Sequence, residues 1–321
     1  MLVLSLNAVI DLNTKSVPDR VLATTALTLS AGVATADVAL SGDGRMGIMY
    51  DNSAANKFSF TSRARVTFTL SGETDSGASF GGSFRADHAG AGGAVAGNAG
   101  SVFVSGEFGR LTMGDTAGAA QFVVGHVAGV GLTGLGDLNE SLFLGNNVGV
   151  AATDQSRPTA RYDYSIDAFT VAISHTNPGS NDSTAAIGAS YDMDMFSAGL
   201  GFERLNVSGG QNITHGILGL RASFEGVDLA ANYGRVNSSA GLANNDQYSV
   251  SVGGTFDATT VTAYYARNFG GAKSYGLGAS YDLGGGAAFT GGVVRTDSDG
   301  QIATPTASSR TIADLGLAFT F

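Results

Sequence analysis

The 321-residue chain contains no cysteine and no tryptophan, only 4 prolines, and fewer basic than acidic residues. The absence of cysteine fits both a reducing cytosol and an oxidising periplasm, so it identifies no compartment. No stretch approaches the roughly 20 consecutive apolar residues of a transmembrane helix. Lys and Arg number 17 against 27 Asp and Glu. The resulting net charge of -10 argues against a nucleic-acid-binding protein, which needs a basic face to replace counterions.

What the sequence does contain is glycine and many short apolar runs. Glycine accounts for 48 residues, and hydrophobic residues still make up 43% of the chain, which is too apolar for a disordered protein. Helix formers such as Leu, Lys and Glu are sparse, and long helical periodicities are missing. The composition therefore favours an all-β fold over an α/β fold, and by itself it leaves a soluble domain open.

The N-terminal segment has the features of an export signal. Arg20 precedes the apolar run 21–33 (VLATTALTLSAGV), and an Ala-Thr-Ala motif at 34–36 has the small-x-small pattern that a signal peptidase accepts. We therefore predict a signal peptide over residues 1–36 and a single mature domain over residues 37–321.

Residues 1–19 fit a signal peptide poorly, because Asp11 and Asp19 are unusual in its positively charged start. We interpret them as a mis-called N-terminal extension, in which the start codon is assigned too early. The alternative for the run 21–33 is a first buried strand or a short helix. The run is too short to span a bilayer and has no capping residues, so export is the preferred interpretation.

From Asp37 onward, apolar and polar residues alternate with a period of two. The clearest case is Phe58–Ser71 (FSFTSRARVTFTLS), in which Phe, Val and Leu fall on one face and Thr and Arg fall on the other. The pattern predicts strands with one apolar face and one polar, charged face. We count about sixteen such segments between Val38 and Phe321.

Short turns and longer polar links alternate along the chain. The short turns have Gly and Asp hairpin chemistry, as at Glu225-Gly226, whereas links such as 89–100 and 237–245 are longer. Tight turns at one end and loops at the other predict a transmembrane antiparallel up-and-down β-barrel. The alternative, a soluble β-sandwich, would not be expected to segregate its loops so regularly.

Aromatic residues favour the membrane barrel, because one lies at or near almost every short turn. Around a barrel they would form a girdle at the lipid interface, whereas core aromatics of a sandwich have no reason to cluster at one set of turns. These residues are Phe108, Tyr164, Phe169, Tyr191, Phe196, Phe224, Phe256, Tyr281, Phe289, Phe319 and Phe321.

The longest segment without a strand pattern is Asp115–Arg157, which is rich in Gly and Asn. A structureless segment of this length in a compact domain is normally functional or disordered. Apolar patches at 122–124 and 142–144 would pack against a barrel wall. We therefore predict that this segment, the third loop, folds into the lumen and narrows it.

Five segments carry a more specific pattern: LSGDGRMG at 40–47, FVSGEFG at 103–109, MGDT at 113–116, YGLGASYDLGGG at 275–286 and ADLGLAFTF at 313–321. Over essentially all of the mature chain, they resemble the general porins of photosynthetic α-proteobacteria, the Rhodobacter type. The resemblance implies a sixteen-stranded barrel, a homotrimer, a third loop that forms a constriction, and a C-terminal Phe that serves as an assembly signal.

The resemblance also implies a location in the outer membrane of a Gram-negative bacterium, in contact with outer-membrane lipid and lipopolysaccharide. The implied function is a general diffusion porin, a water-filled channel for small hydrophilic solutes and ions. The third loop of this chain is Gly-rich and modest in charge beside the acidic loop of such porins, which leaves the charge selectivity open.

The polar faces of the first strands point to the constriction. In a water-filled lumen polar residues can face inward, and strand parity places four arginines there on three consecutive strands. They are Arg45, Arg63, Arg65 and Arg85. Because four like charges repel one another, we expect Asp137 and Glu140 of the third loop to oppose them. The prediction is an eyelet between a basic wall and an acidic loop, which selects solutes by size and charge.

Four further residues have weaker expected roles. Arg157 and Arg161 share the inward parity and would extend the basic wall, while Asp43 and Asp115 would pair with arginines or anchor the loop. Carboxylate-rich loops at a pore mouth can hold Ca²⁺. No segment shows an EF-hand spacing, so we expect no cofactor and keep loop-bound Ca²⁺ as an alternative.

Two other classes of function are weighed against the channel. An enzyme is disfavoured, because the four histidines fall in or beside predicted loops without a Gly-x-Ser-x-Gly motif or metal-ligand spacing. They are His88, His126, His175 and His215. The second alternative is a plugged structural or adhesion barrel, which would extend the third loop outward rather than into the lumen.

Overall fold

The computed structural model describes residues 25–26, 37–89, 95–144, 159–176, 183–207, 211–238, 246–297, 305–306 and 308–321. Most of these residues form strands, and one short segment is helical. The strands are β1 Thr25–Ala26, β2 Asp37–Asp51, β3 Phe58–Glu73, β4 Ser79–Ala89, β5 Val95–Gly106, β6 Gly109–Gly114, β7 Thr159–Ile166, β8 Phe169–Thr176, β9 Ser183–Asp192, β10 Phe196–Val207, β11 Gln211–Phe224, β12 Val227–Ser238, β13 Asp246–Phe256, β14 Thr259–Arg267, β15 Lys273–Gly284, β16 Ala287–Thr296 and β17 Arg310–Thr320, and the helix is α1 Ala119–Val124.

Strands β2 to β17 form a closed antiparallel barrel. Each pairs with the next in chain order, and β17 pairs with β2, so sixteen strands close on themselves. The predicted up-and-down barrel is thereby confirmed. Closure continues to the last residue, because the Phe321 N–H donates to Gly42 O at 2.9 Å and Gly42 N–H donates to Phe321 O at 3.2 Å.

The short strand β1 lies inside the segment predicted to be a signal peptide. Thr25 and Ala26 pair with Leu40 and Ala39 of β2. The other residues of 1–36 lie outside the described residues, so the signal peptide stays a prediction. Arg157, predicted to extend the basic wall, also lies outside them.

The predicted hairpin chemistry appears in the backbone of the short turns. Glu225 and Gly226, between β11 and β12, have φ of 44° and 85°, and Asp257, between β13 and β14, has φ of 52°. Positive φ at the turn residues matches the right-handed twist of the flanking strands, which is why two-residue turns suffice.

The outer face of the barrel is apolar, as the period-two pattern predicts. Within β3, Phe58 and Phe60 are exposed, while Arg63 and Arg65 on the other face are partly covered. The aromatic residues predicted for the girdle that are exposed on the barrel are Phe108, Phe169, Tyr191, Phe196, Phe256, Tyr281, Phe289 and Phe321. Such a surface suits lipid, so the sandwich alternative is wrong.

The hydrophobic core lies inside the barrel, between the third loop and the wall. Inward wall residues alternate with outward ones, as where Val294 is 1% exposed and its neighbour Val293 is 42% exposed. Val294 packs with Leu135 and Leu138 of the loop. Two further clusters also join loop residues to inward wall residues. One side of the lumen is therefore filled by loop residues together with the inward wall residues that they contact.

Helix α1 was not predicted, because the third loop was expected to lack regular structure. Its residues Ala119, Ala120 and Val124 are buried, and Gly125 ends it with φ of 66°. The helix is short enough that packing against the wall, rather than its own propensity, must hold it. Among the described residues, no helix is long and apolar enough to cross a membrane.

Candidate functional site

The described part of the third loop, residues 115–144, is called the inner loop here. Its outgoing arm follows the inside of the barrel by hydrogen bonds to successive strands. The arm begins at β8, where Ala119 N–H donates to Ser174 Oγ at 2.8 Å, and it passes β11, where Arg221 donates to Val124 O at 2.6 Å. It then reaches β13, where Ala128 N–H donates to Ser251 Oγ at 3.0 Å, and finally β17, where Leu132 N–H donates to Asp314 at 2.9 Å. The arm therefore lines about half of the circumference.

The returning arm runs back along the same strands. At β15, Ser274 donates to Leu138 O at 2.7 Å. At β13, the Gln247 side chain bonds to both the N–H and the C=O of Leu142 at 2.8 Å. At β10, Glu203 accepts from Leu144 N–H at 2.9 Å. We call the inward faces of β8–β17, to which both arms are bonded, the covered wall.

The predicted arginines lie on the other side of the lumen, on β2, β3 and β4. Cross-strand register arranges them in rows. Arg45 lies directly opposite Arg63, and Asp43, Arg65 and Asp87 form the neighbouring row across all three strands. Arg85 lies one row further, opposite Thr67. We call this surface the basic wall. Strand parity thus brings the four predicted arginines together.

Ion pairs run along the basic wall. Arg63 contacts Asp43 at 2.5 Å, and Arg65 binds both oxygens of Asp87 at 2.9 and 3.0 Å. Longer contacts of 3.6 Å from Arg65 to Asp43 and 3.3 Å from Arg85 to Asp87 link these pairs. The side chains are 21–43% exposed, so water reaches them. Asp43 was expected to pair with arginine; Asp87, on the same strand as Arg85, was missed.

The two predicted loop carboxylates occupy different places. Asp137 lies at the loop tip, where partial burial of its carboxylate raises its pKa above the usual value, while the Arg45 guanidinium opposes the shift. Glu140 lies 3.9 Å from His126. The structure therefore brings Asp137 into electrostatic contact with the basic wall, and it places Glu140 beside a loop histidine.

His126 lies where the loop passes β11. Its Nε2 is 2.8 Å from Gln121 Nε2, its carbonyl accepts from Arg221 at 3.1 Å, and its ring meets Phe143 edge-on. Burial lowers the pKa of His126 to about 4, and the Arg221 charge acts in the same direction. His126 is therefore neutral at physiological pH, and its Nε2 accepts a hydrogen bond from the Gln121 amide.

A fully buried Glu203–His215–Gln247 cluster holds the returning arm. Glu203 and His215 are 0% exposed and 2.8 Å apart, and His215 Nε2 is 3.0 Å from Gln247 Nε2. If Gln247 donates to His215 Nε2, then Nδ1–H donates to Glu203, and every polar atom of the histidine is satisfied. Sequence reasoning placed His215 in or beside a loop; it lies inside β11, facing the lumen.

Two further side chains fix the loop at its tip and its base. Asp314, 5% exposed, accepts from the backbone of Leu132 and Thr133 and from the Thr133 hydroxyl at 2.7–2.9 Å. Arg161 is 7% exposed and donates to Thr116 and Ala117. Arg161 thus has the predicted inward parity, but it is buried against the base of the loop and anchors it, rather than extending the water-accessible basic wall. Asp314 lies in the ADLGL segment, whose pattern alone does not reveal a loop partner.

Among the described residues, no group of three His, Asp or Glu side chains has the geometry of a metal site. The long polar links at the pore mouth, where loop-bound Ca²⁺ was kept as an alternative, lie largely outside the described residues, so that alternative stays untested. No arrangement of a nucleophile, base and oxyanion hole emerges from the inner loop or the basic wall. The geometry instead presents a charged surface and a packed loop on opposite sides of one lumen.

Comparison with known proteins agrees with this geometry. A family profile described as Gram-negative porin matches residues 23–301. A porin of Rhodobacter capsulatus is 34% identical over 316 aligned residues, which cover 89% of this chain and 100% of that protein. A porin structure refined at 1.8 Å resolution is 32% identical, with a TM-score of 0.71 over 88% of this chain and 100% of that one. A mutant of the Rh. blastica porin, 23% identical with a TM-score of 0.64 over the same shares, has the same fold.

Proposed function

The chain belongs to the Gram-negative porin family and is a general diffusion porin, and we propose that solutes cross it between the basic wall and the inner loop. The family and the fold point to a channel rather than an enzyme.

One observation carries the proposal: beyond its base, which is bonded to β5 and β7, the inner loop follows one side of the barrel. From Ala119 onward its hydrogen bonds to the wall run to strands from β8 to β17, and its tip reaches Asp314 beside the basic wall. On the opposite side, charged residues of β2–β4 remain water-accessible. A loop that divides the lumen in this way leaves a passage on the charged side and narrows it.

The passage selects by width and by lining charge. Small hydrophilic solutes and ions fit a water-filled lumen with polar walls. Apolar solutes are not stabilised there, because the charged side chains stay hydrated. The position of residues 115–144 inside the barrel also disfavours the adhesion alternative, which needs the loop outside. Arg45 and Asp137, on opposite sides, would set a transverse field across the eyelet.

Family membership implies the outer membrane of a Gram-negative bacterium, and a homotrimer is the expected assembly. Export through removal of residues 1–36, contact with lipopolysaccharide, and use of Phe321 as an assembly signal are parts of the proposal. The Phe321 backbone bonds that close the barrel support the last of these, because they order the C-terminal residue at the β2 edge.

Single-channel recording in a planar lipid bilayer tests the function. Purified protein, folded into detergent and checked by its β-sheet circular dichroism, is expected to give large, ohmic current steps, grouped in threes if trimers insert. Liposome swelling with sugars of increasing size would give the width of the passage. Folded protein that produces no steps and no swelling would show a plugged barrel and contradict the proposal.

A further inference from the structure

Resting on the proposed path, we infer that Asp43 and Asp87 are counter-ions built into the basic wall, so that Arg45 and Arg85 set the charge selectivity of the pore. The wall holds four arginines and two aspartates in three neighbouring rows. Two positive charges are therefore left after pairing. The contacts show where they lie.

The closest contacts assign one carboxylate to Arg63 and the other to Arg65. Asp43 is 2.5 Å from Arg63, and Asp87 takes Arg65 in a two-oxygen contact at 2.9 and 3.0 Å. Bidentate arginine–carboxylate contacts are among the strongest ion pairs that side chains form. Arg85 shares Asp87 with Arg65 through a single contact of 3.3 Å, and its side chain is 43% exposed. One carboxylate neutralises only one of these two arginines.

Arg45 is the other residual charge. Among the described residues, no carboxylate lies within ion-pair distance of it, and its Nε is buried without a hydrogen-bond partner. It sits directly opposite Arg63, an arrangement of like charges that is destabilising in a sheet. Arg63 relieves part of that repulsion by turning to Asp43, and Arg45 has no such partner on the wall.

Arginines with a carboxylate of their own act differently on a passing ion from Arg45, which has none on the wall, and from Arg85, which shares Asp87 with Arg65. The field of a close ion pair falls off as that of a dipole, whereas a single charge acts over roughly the Debye length of about 10 Å at 0.1 M salt. Small inorganic anions and small carboxylates are thus drawn to Arg45 and Arg85, and the Arg63 and Arg65 pairs line the passage as a nearly neutral polar strip.

The test is the reversal potential under a KCl gradient, recorded on single channels of full-length mature protein. Asp43→Asn and Asp87→Asn should each raise the chloride-to-potassium permeability ratio about twofold, the size expected for one charge several ångströms from the path at high dielectric. Arg45→Gln should lower the ratio about twofold for the same reason. Adding Arg63→Gln to Asp43→Asn should return the ratio close to that of the unmodified channel.

The matched control is Asp257→Asn, which removes the same charge from a short turn at the barrel end. Asn tolerates the positive φ of 52° at that position, so the fold should be kept and the ratio should not move. If Asp43→Asn fails to fold, Asp87→Asn tests the same inference at the pair of Arg65 and Asp87.

Unchanged selectivity in folded Asp43→Asn and Asp87→Asn channels would overturn the inference, and so would a double variant that shifts the ratio as far as Asp43→Asn alone. Both results require open channels, so they leave the proposed function standing. Absence of any current steps from the unmodified protein would instead contradict the proposed function and, with it, the inference.

Discussion

The covered wall and the basic wall are built from the same kind of strand, yet their inward faces differ in burial, hydration and hydrogen-bond partners. On the covered wall, inward residues such as Ser251, Gln247 and Glu203 are buried and bonded to loop backbone. On the basic wall, inward Arg and Asp side chains are paired with each other and partly hydrated. One side of the barrel is organised as a protein core, and the other as a surface.

The contrast shows how a barrel too wide to be filled by its own side chains can hold a rigid constriction. A loop in the lumen carries backbone N–H and C=O groups that need partners once water is displaced. The covered wall provides them through short polar side chains. The basic wall needs no such partners, because its residues keep water and counter-ions. The following predictions test that contrast.

The largest effect is expected for Glu203→Ala. The change leaves the Leu144 N–H and the His215 Nδ1 without an acceptor in a site that is fully buried, at a cost of about 4 kcal/mol. The free energy of unfolding from lipid vesicles in urea should fall by this amount, and single-channel current should become noisier as the returning arm loosens.

A conservative control is Glu203→Gln, which keeps an acceptor oxygen and should lose far less stability. Equal stability of the Ala variant and the unmodified protein would mean that the returning arm is held elsewhere, and the contrast between the two walls would lose its main support.

A somewhat smaller effect is expected for Asp314→Ala. The carboxylate accepts three hydrogen bonds from Leu132 and Thr133 at the loop tip, and their loss should cost about 3 kcal/mol. Because the tip lies beside the basic wall, conductance substates should also become frequent in bilayer recordings. A unitary conductance as steady as that of the unmodified channel would show that Asp314 does not position the tip.

A third prediction concerns two glycines on neighbouring strands. A Cβ at Gly201 would lie 2.6 Å from Ala120 Cβ of helix α1, whereas a Cβ at Gly216 would meet nothing within 4 Å. Gly201→Ala should therefore destabilise the barrel by about 2 kcal/mol through overpacking. Gly216→Ala, the matched control, should leave the urea midpoint of the barrel nearly unchanged. Equal shifts for both would mean that α1 is not packed tightly on the wall.

The smallest effect is a pH dependence that comes from His126. Its folded pKa of about 4 lies below the ordinary 6.5, so the unfolded chain binds more protons and stability falls as pH drops through this window. The expected loss is about 1 kcal/mol between pH values of about 6.5 and 5.5. Asp137 acts in the opposite sense, because its raised pKa favours the folded state on protonation.

Urea unfolding at the two pH values measures this slope, and His126→Gln should reduce it. His88→Gln, at an exposed outward position, is the control and should keep it. A slope that survives His126→Gln would assign the effect to another group.

Much of the fold could be predicted because the period-two pattern is local. Phe58–Ser71 shows both faces of a strand directly, and the Glu225-Gly226 turn shows where a chain reverses. Arg45, Arg63, Arg65 and Arg85 were placed on the lumen face by parity alone. None of these inferences needs a contact between residues that are distant in sequence.

What remained hidden depends on such contacts. Asp87 differs from other strand aspartates only because register brings Arg65 opposite it. Glu203, Gln247 and Asp314 look like ordinary polar strand residues until the third loop lies against them. Helix α1 is only six residues long, too short to show a helical periodicity or to be stable without packing against the wall, so no local pattern predicted it.

The amino-acid sequence was therefore enough to predict the sixteen-strand barrel, its apolar exterior, the lumen arginines and the presence of a long third loop. These follow from residue alternation and turn chemistry, which act over a few residues. The three-dimensional structure was needed to show which wall the loop covers and which carboxylates neutralise the arginines. Both depend on register and long-range hydrogen bonds, since a one-row change in strand pairing would give each arginine a different neighbour.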